Sequence, residues 1–127
     1  MTTFILAALA IVVIAGVVIY NRLIRSRNRV DTAWSDIDVQ LQRRHDLVPR
    51  LVKAVDQYAK YERATLEAVT ELRAEAMQVV EVGALGKVEE KLSAGIERII
   101  ALAENYPDLK ANENFLKLQQ ELVETEN

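Results

Sequence analysis

The 127-residue chain has no cysteine, one histidine, one tryptophan, two prolines and four glycines. Without cysteine it can form no disulfide, thiolate metal site, cysteine nucleophile or cysteine-linked lipid anchor. It also lacks a basic excess: 16 Lys and Arg stand against 19 Asp and Glu, a net charge of −3. Nucleic-acid binders usually carry the opposite balance, so nucleic acid is not an expected partner. No charged side chain occurs before Arg22. The scarcity of proline and glycine, with no sustained strand alternation, argues against a β-rich fold.

That uncharged beginning contains "FILAALAIVVIAGVVIY", 17 apolar residues at positions 4–20. As a helix they span roughly 25 Å, the short end of what crosses a bilayer. A secretory signal peptide would place positive charge before the apolar run, whereas Met1, Thr2 and Thr3 offer only the terminal amine. The charge follows instead, as Arg22, Arg25, Arg27 and Arg29 in "NRLIRSRNR". This asymmetry predicts an uncleaved single-pass anchor over 1–21, its amino terminus outside and residues 22–127 in the cytoplasm. The four arginines read first as a stop signal and second as contacts to anionic headgroups. Tyr20 falls where an interfacial aromatic is expected.

Beyond the anchor, apolar residues recur at threes and fours. One stripe is Val30, Trp34, Ile37 and Leu41, continued by His45 and Val48; a second includes Val48, Val52, Val55, Ala59, Leu66 and Val69. A third runs Leu85, Val88, Leu92, Ile96, Ile99, Ala103 and Tyr106, and a fourth Ala111, Phe115, Leu118 and Leu122. Each is one face of an amphipathic helix, and four such faces can bury one another. The expected architecture is therefore all-α: a transmembrane helix followed by an antiparallel up-and-down four-helix bundle. Trp34, Ile37, Leu41, Val55, Leu66, Leu92, Ile96, Ile99, Phe115, Leu118 and Leu122 are its expected core anchors.

"RHDLVP" predicts the first break, with Asp46 as N-cap and Pro49 in the next helix's first turn, where a proline removes no hydrogen bond. A continuous helix through Pro49 is the alternative. "VEVGALGK" predicts the second turn and "NYPDLKANEN" the third, with Asp108 or Asn112 capping the last helix. This order would bring Arg43, Arg44, His45 and Asp46 to the same distal end as Glu104, Asn105, Tyr106 and Asp108, a candidate docking surface.

Chemistry finds little support in these residues. A carboxylate-bridged di-metal site needs paired Glu-x-x-His, but Gln42 stands three before the single His45. Zinc would need more nitrogen or sulfur ligands, and Glu62 would lie about 25 Å along the helix axis from His45. No serine sits in a glycine-rich elbow and no glycine-rich phosphate loop is present. Neither enzymatic activity nor a cofactor is expected.

"AWSDIDVQLQRRHDLVPRLV", "YAKYERATLEAV" and "AENYPDLKANENFLKLQQELVETEN", in that order behind an anchor, closely resemble the LemA family of bacterial proteins. The resemblance covers nearly the whole chain. It implies four antiparallel cytoplasmic helices behind one membrane helix and no established enzymatic activity. It also implies company with other membrane proteins, such as TPM-domain proteins or membrane metallopeptidases. Family members generally extend the last helix beyond "TEN", where this sequence reaches Asn127, so a short fourth helix is expected. The functional expectation is a self-associating scaffold at the bacterial inner membrane, touching the bilayer and an unidentified membrane or cytoplasmic protein. A signal-relay subunit for a membrane peptidase or secretion system, or a membrane-shaping protein, is the alternative.

Overall fold

The computed structural model describes residues 1–126, and the regular elements among them are all helical. Five α-helices follow in order: α1 Thr2–Asp56, α2 Arg63–Gln78, α3 Val82–Leu102, α4 Pro107–Lys110 and α5 Glu113–Glu124. Single 3-10 turns, Lys60–Glu62 and Ala103–Asn105, precede α2 and α4. Packing divides the chain into two units, Met1–Val39 and Gln40–Asn127, and α1 contributes to both.

The expected break at Asp46 does not occur: α1 runs through Pro49 to Asp56. A proline inside a helix cannot donate to the carbonyl four residues back, here that of His45. In this chain Arg73 supplies the missing donor, its Nε lying 2.5 Å from the His45 oxygen. The residues expected to begin a second helix at Leu47 therefore finish the first, and α2 starts only at Arg63. The reversal lies instead at residues 57–62. The amides of Tyr58 and Ala59 both donate to the Val55 carbonyl, at 3.0 and 2.9 Å, and Glu62 N donates to Ala59 O at 3.1 Å.

In the unit Met1–Val39 every side chain is exposed. Its apolar run forms the one helix long and apolar enough to cross a membrane among the described residues, with mean hydropathy 2.8 over its best window. Trp34 and Ile37, expected as core anchors, are 45% and 47% exposed. Within this unit no second helix covers their stripe.

The unit Gln40–Asn127 contains the core. Leu47, Val48, Leu51 and Val55 of α1 join Leu66 and Val69 of α2, Leu92, Ile96 and Ile99 of α3, and Phe115, Leu118 and Leu122 of α5. Every expected core anchor from Val55 onward is thus buried, and Leu41 is half-buried. Full burial of each such side chain contributes about 1.5–3 kcal/mol. Helices α2 and α3 approach closely at Gly95, where a Cβ would lie 2.8 Å from Val69 Cγ2.

The two glycines of the expected second turn do not form it. The turn is made by residues 79–81, and Gly83 and Gly86 lie inside the first turns of α3. The third turn follows expectation more closely. Pro107 occupies the first position of α4, and the Asn112 side chain accepts from Phe115 N at 3.1 Å to cap α5. Asn112 also donates from Nδ2 to the Tyr58 hydroxyl at 3.1 Å, linking the first reversal to the last.

Candidate functional site

The eight residues expected to form one distal docking surface do not assemble. Arg44 and His45 are buried, at 7% and 5% exposure, within α1 rather than at its end. Arg43 pairs with Glu124 on α5, Nη2 to Oε2 3.1 Å, and Asp46 accepts from Gln42 Nε2 at 3.1 Å within its own helix. Glu104 pairs with Lys110 across the 3-10 turn and α4, 2.5 Å apart. Tyr106 is half-buried against the core, while Asn105 and Asp108 are exposed. The displacement follows from the continuous α1, which moves the first reversal about ten residues beyond the expected break.

What Arg44 and His45 do form is a buried polar cluster that joins α1, α3 and the end of α5. The Arg44 guanidinium donates from Nη1 to Ser93 Oγ at 3.0 Å and to Glu89 Oε2 at 3.5 Å. Its Nε donates to Thr125 Oγ1 at 3.3 Å and its Nη2 to the Thr125 carbonyl at 3.4 Å. Glu126 stands 3.8 Å from Nη2. The other Glu89 oxygen meets His45 Nε2, so one carboxylate bridges both α1 side chains. Thr125 is fixed in turn, its hydroxyl donating to Leu122 O at 2.6 Å. Among the described residues no fully buried side-chain nitrogen or oxygen lacks a partner.

A guanidinium presents five donors in a rigid fork, and here each of its nitrogens is committed to protein acceptors. A desolvated charge bound on all sides is a fastener. Glu89, Ser93 and Thr125 were not singled out in the sequence as its partners. Glu89 carried a signal, for it lies three residues before Leu92 and seven before Ile96, on the apolar face of α3. A carboxylate there requires a buried cation or donor.

The basic residues after the apolar run form the second polar feature, in the unit Met1–Val39. Arg22, Arg25, Arg27 and Arg29 are all exposed. Arg27 reaches Asp31, Nε to Oδ2 4.0 Å, a pair that is 79% and 69% exposed.

These features belong to a chain with known relatives. It is 28% identical over 106 residues to the protein named "Protein LemA" of Metamycoplasma hominis. The match covers 80% of this chain and 47% of that protein, so the chain spans about half the length of this curated relative. The model of the LemA family matches residues 33–127, which takes in the buried Arg44–Glu89 cluster, the end of α1 and all of α2 to α5. On that match, the chain belongs to the LemA family.

Proposed function

We propose that this chain is a non-enzymatic scaffold of the bacterial inner membrane, held by one transmembrane helix and self-assembling in the plane of the bilayer. The amino terminus lies outside and residues from Arg22 onward lie in the cytoplasm. The apolar, uncovered run at the start of α1 and the arginines that follow it support this placement. An antiparallel four-helix bundle is the display unit. The order of the ion pairs supports it, for Arg50 meets Glu121 while Arg43, earlier in α1, meets Glu124, later in α5.

The observation that carries the assembly reading is the exposed stripe of Val30, Trp34 and Ile37, 53%, 45% and 47% exposed on one face of α1. A lone tryptophan held in water among β-branched residues is costly, and a second copy brings an identical stripe. Anchored copies meet at high effective concentration, so a weak stripe contact suffices. Light scattering of the intact chain in mild detergent tests the proposal. Large closed assemblies that dissociate on Trp34→Glu support it, and a stable monomer contradicts it.

A relay role is the second reading. It is favoured by one connection: α1 carries both the apolar run and the buried Arg44 and His45. In that reading the partner is a membrane peptidase or secretion component, and the intact chain is a monomer or dimer.

A further inference from the structure

Four arginines follow the apolar run within eight residues, but they do not share a face. Arg22, Arg25 and Arg29 stand at i, i+3 and i+7, the spacing of one side of a helix. Together with Val18, Asn21 and Ser26 they form one exposed face of α1. Arg27 lies off this face, about 140° around the helix from Arg22, with Asp31 4.0 Å from its Nε. Among the described residues no carboxylate lies within ion-pair distance of Arg22, Arg25 or Arg29.

Cα–Cβ bonds on an α-helix tilt towards its N-terminus, which for these three residues is the side of Val18 and the apolar run. That run spans roughly 25 Å, against a hydrocarbon core of about 30 Å. A short run draws its flanking residues towards the bilayer, and long cationic side chains then reach for the phosphates. From Arg22 to Arg29 the helix rises about 10 Å, enough to traverse a headgroup layer some 5–8 Å deep. The guanidinium fork matches two phosphate oxygens at once. A zwitterionic headgroup would bring its own ammonium against three unpaired cations, and an anionic one would not.

We propose that Arg22, Arg25 and Arg29, with Val18 below and Asn21 and Ser26 between them, form a binding face for the headgroup phosphate of anionic phospholipids, and that Arg27 is not part of it. The proposal rests on the membrane-anchored reading above. It goes further by selecting three of the four arginines and one lipid class.

Trp34 is the chain's one tryptophan, about 7.5 Å along α1 from Arg29, and serves as a built-in energy donor. The intact chain is reconstituted in phosphatidylcholine vesicles containing trace phosphatidylglycerol or phosphatidylcholine with a dansyl-labelled acyl chain. The face predicts about fivefold enrichment of the anionic lipid near Trp34, the scale of one cation at an anionic surface. Replacing all three residues together (Arg22→Gln, Arg25→Gln, Arg29→Gln) should bring the enrichment close to one, while Arg27→Gln should leave it intact. Equal transfer to both lipids in the unaltered chain overturns the proposal, as does an equal loss in Arg27→Gln and the triple variant. Loss of the preference on adding inorganic phosphate at constant ionic strength assigns the face to free phosphate and overturns the lipid assignment. Flotation of the same samples separates the two readings. A chain that fails to float with neutral vesicles refutes the anchor itself, whereas one that floats without lipid preference refutes the binding face alone.

Discussion

Arg73 of α2 donates from Nε to the carbonyl oxygen of His45, 2.5 Å away, and that oxygen is the acceptor Pro49 leaves without a helical donor. A proline in a helix interior costs about 3 kcal/mol, partly through this lost hydrogen bond. A hydrogen bond from a charged donor contributes about 1.5–3 kcal/mol. The side chain from a neighbouring helix thus offsets much of the penalty and lets α1 continue to Asp56.

The two residues should therefore be coupled. Arg73→Leu should cost about 2 kcal/mol in the unaltered chain, because it orphans the His45 oxygen. In a Pro49→Ala background the backbone N–H at position 49 takes that oxygen, and the same change should cost at least about 1 kcal/mol less. Urea unfolding of the intact chain in mild detergent, followed by circular dichroism, measures both. Equal losses in the two backgrounds would show that the contact is incidental.

Removing one partner of the buried cluster should be worse than removing two. Glu89→Ala removes the buried carboxylate that Arg44 and His45 share, leaves the Arg44 charge facing only the half-exposed Glu126, and should destabilise by about 3 kcal/mol. The paired change Arg44→Met with Glu89→Leu removes both charges of that contact and, since both variants take the same partner from His45, should cost less than Glu89→Ala alone. Thermal melts of the three proteins decide the order. A double variant less stable than the single would mean that the charges themselves hold α1 to α3.

Two glycines of α3 should respond in opposite directions to the same substitution. At Gly95 a methyl group would stand 2.8 Å from Val69 Cγ2, in the core between α2 and α3, so Gly95→Ala should destabilise by about 1–3 kcal/mol. At Gly86 nothing lies within 4 Å, and Gly86→Ala should stabilise by about 0.5–1 kcal/mol through helix propensity. Adding Val69→Ala should recover part of the Gly95→Ala loss by making room for the methyl. Melting temperatures that shift the same way at both glycines would contradict the close approach.

The helical stripes were legible because they depend on spacing alone. Val55, Leu92, Phe115 and Leu122 are buried as the three-and-four periodicity requires, and Asn112 caps as its side chain allows. Pro49 misled because its fate depends on Arg73, 24 residues later and on another helix. The stop at Asp56 was invisible for a related reason. The reversal at residues 57–62 contains neither glycine nor proline, so no local signal marks it. Once that turn moved, the distal cluster of Arg43 to Asp46 with Glu104 to Asp108 could not form, and Arg44 and His45 found Glu89 instead. Trp34 and Ile37 carry the periodicity of core residues but lie in a unit with no covering helix of its own, so spacing could not distinguish a core face from an uncovered one.

In-membrane cross-linking on that stripe tests the scaffold most directly. The chain has no cysteine, so each variant carries a single reactive thiol. Ile37→Cys places it on the stripe, and Ser35→Cys places it about 200° away around the helix. Mild oxidation of isolated membranes should convert most of the Ile37→Cys protein to a disulfide-linked dimer and leave the Ser35→Cys protein monomeric. Monomer in both variants, or dimer in both to the same extent, would contradict assembly through this face.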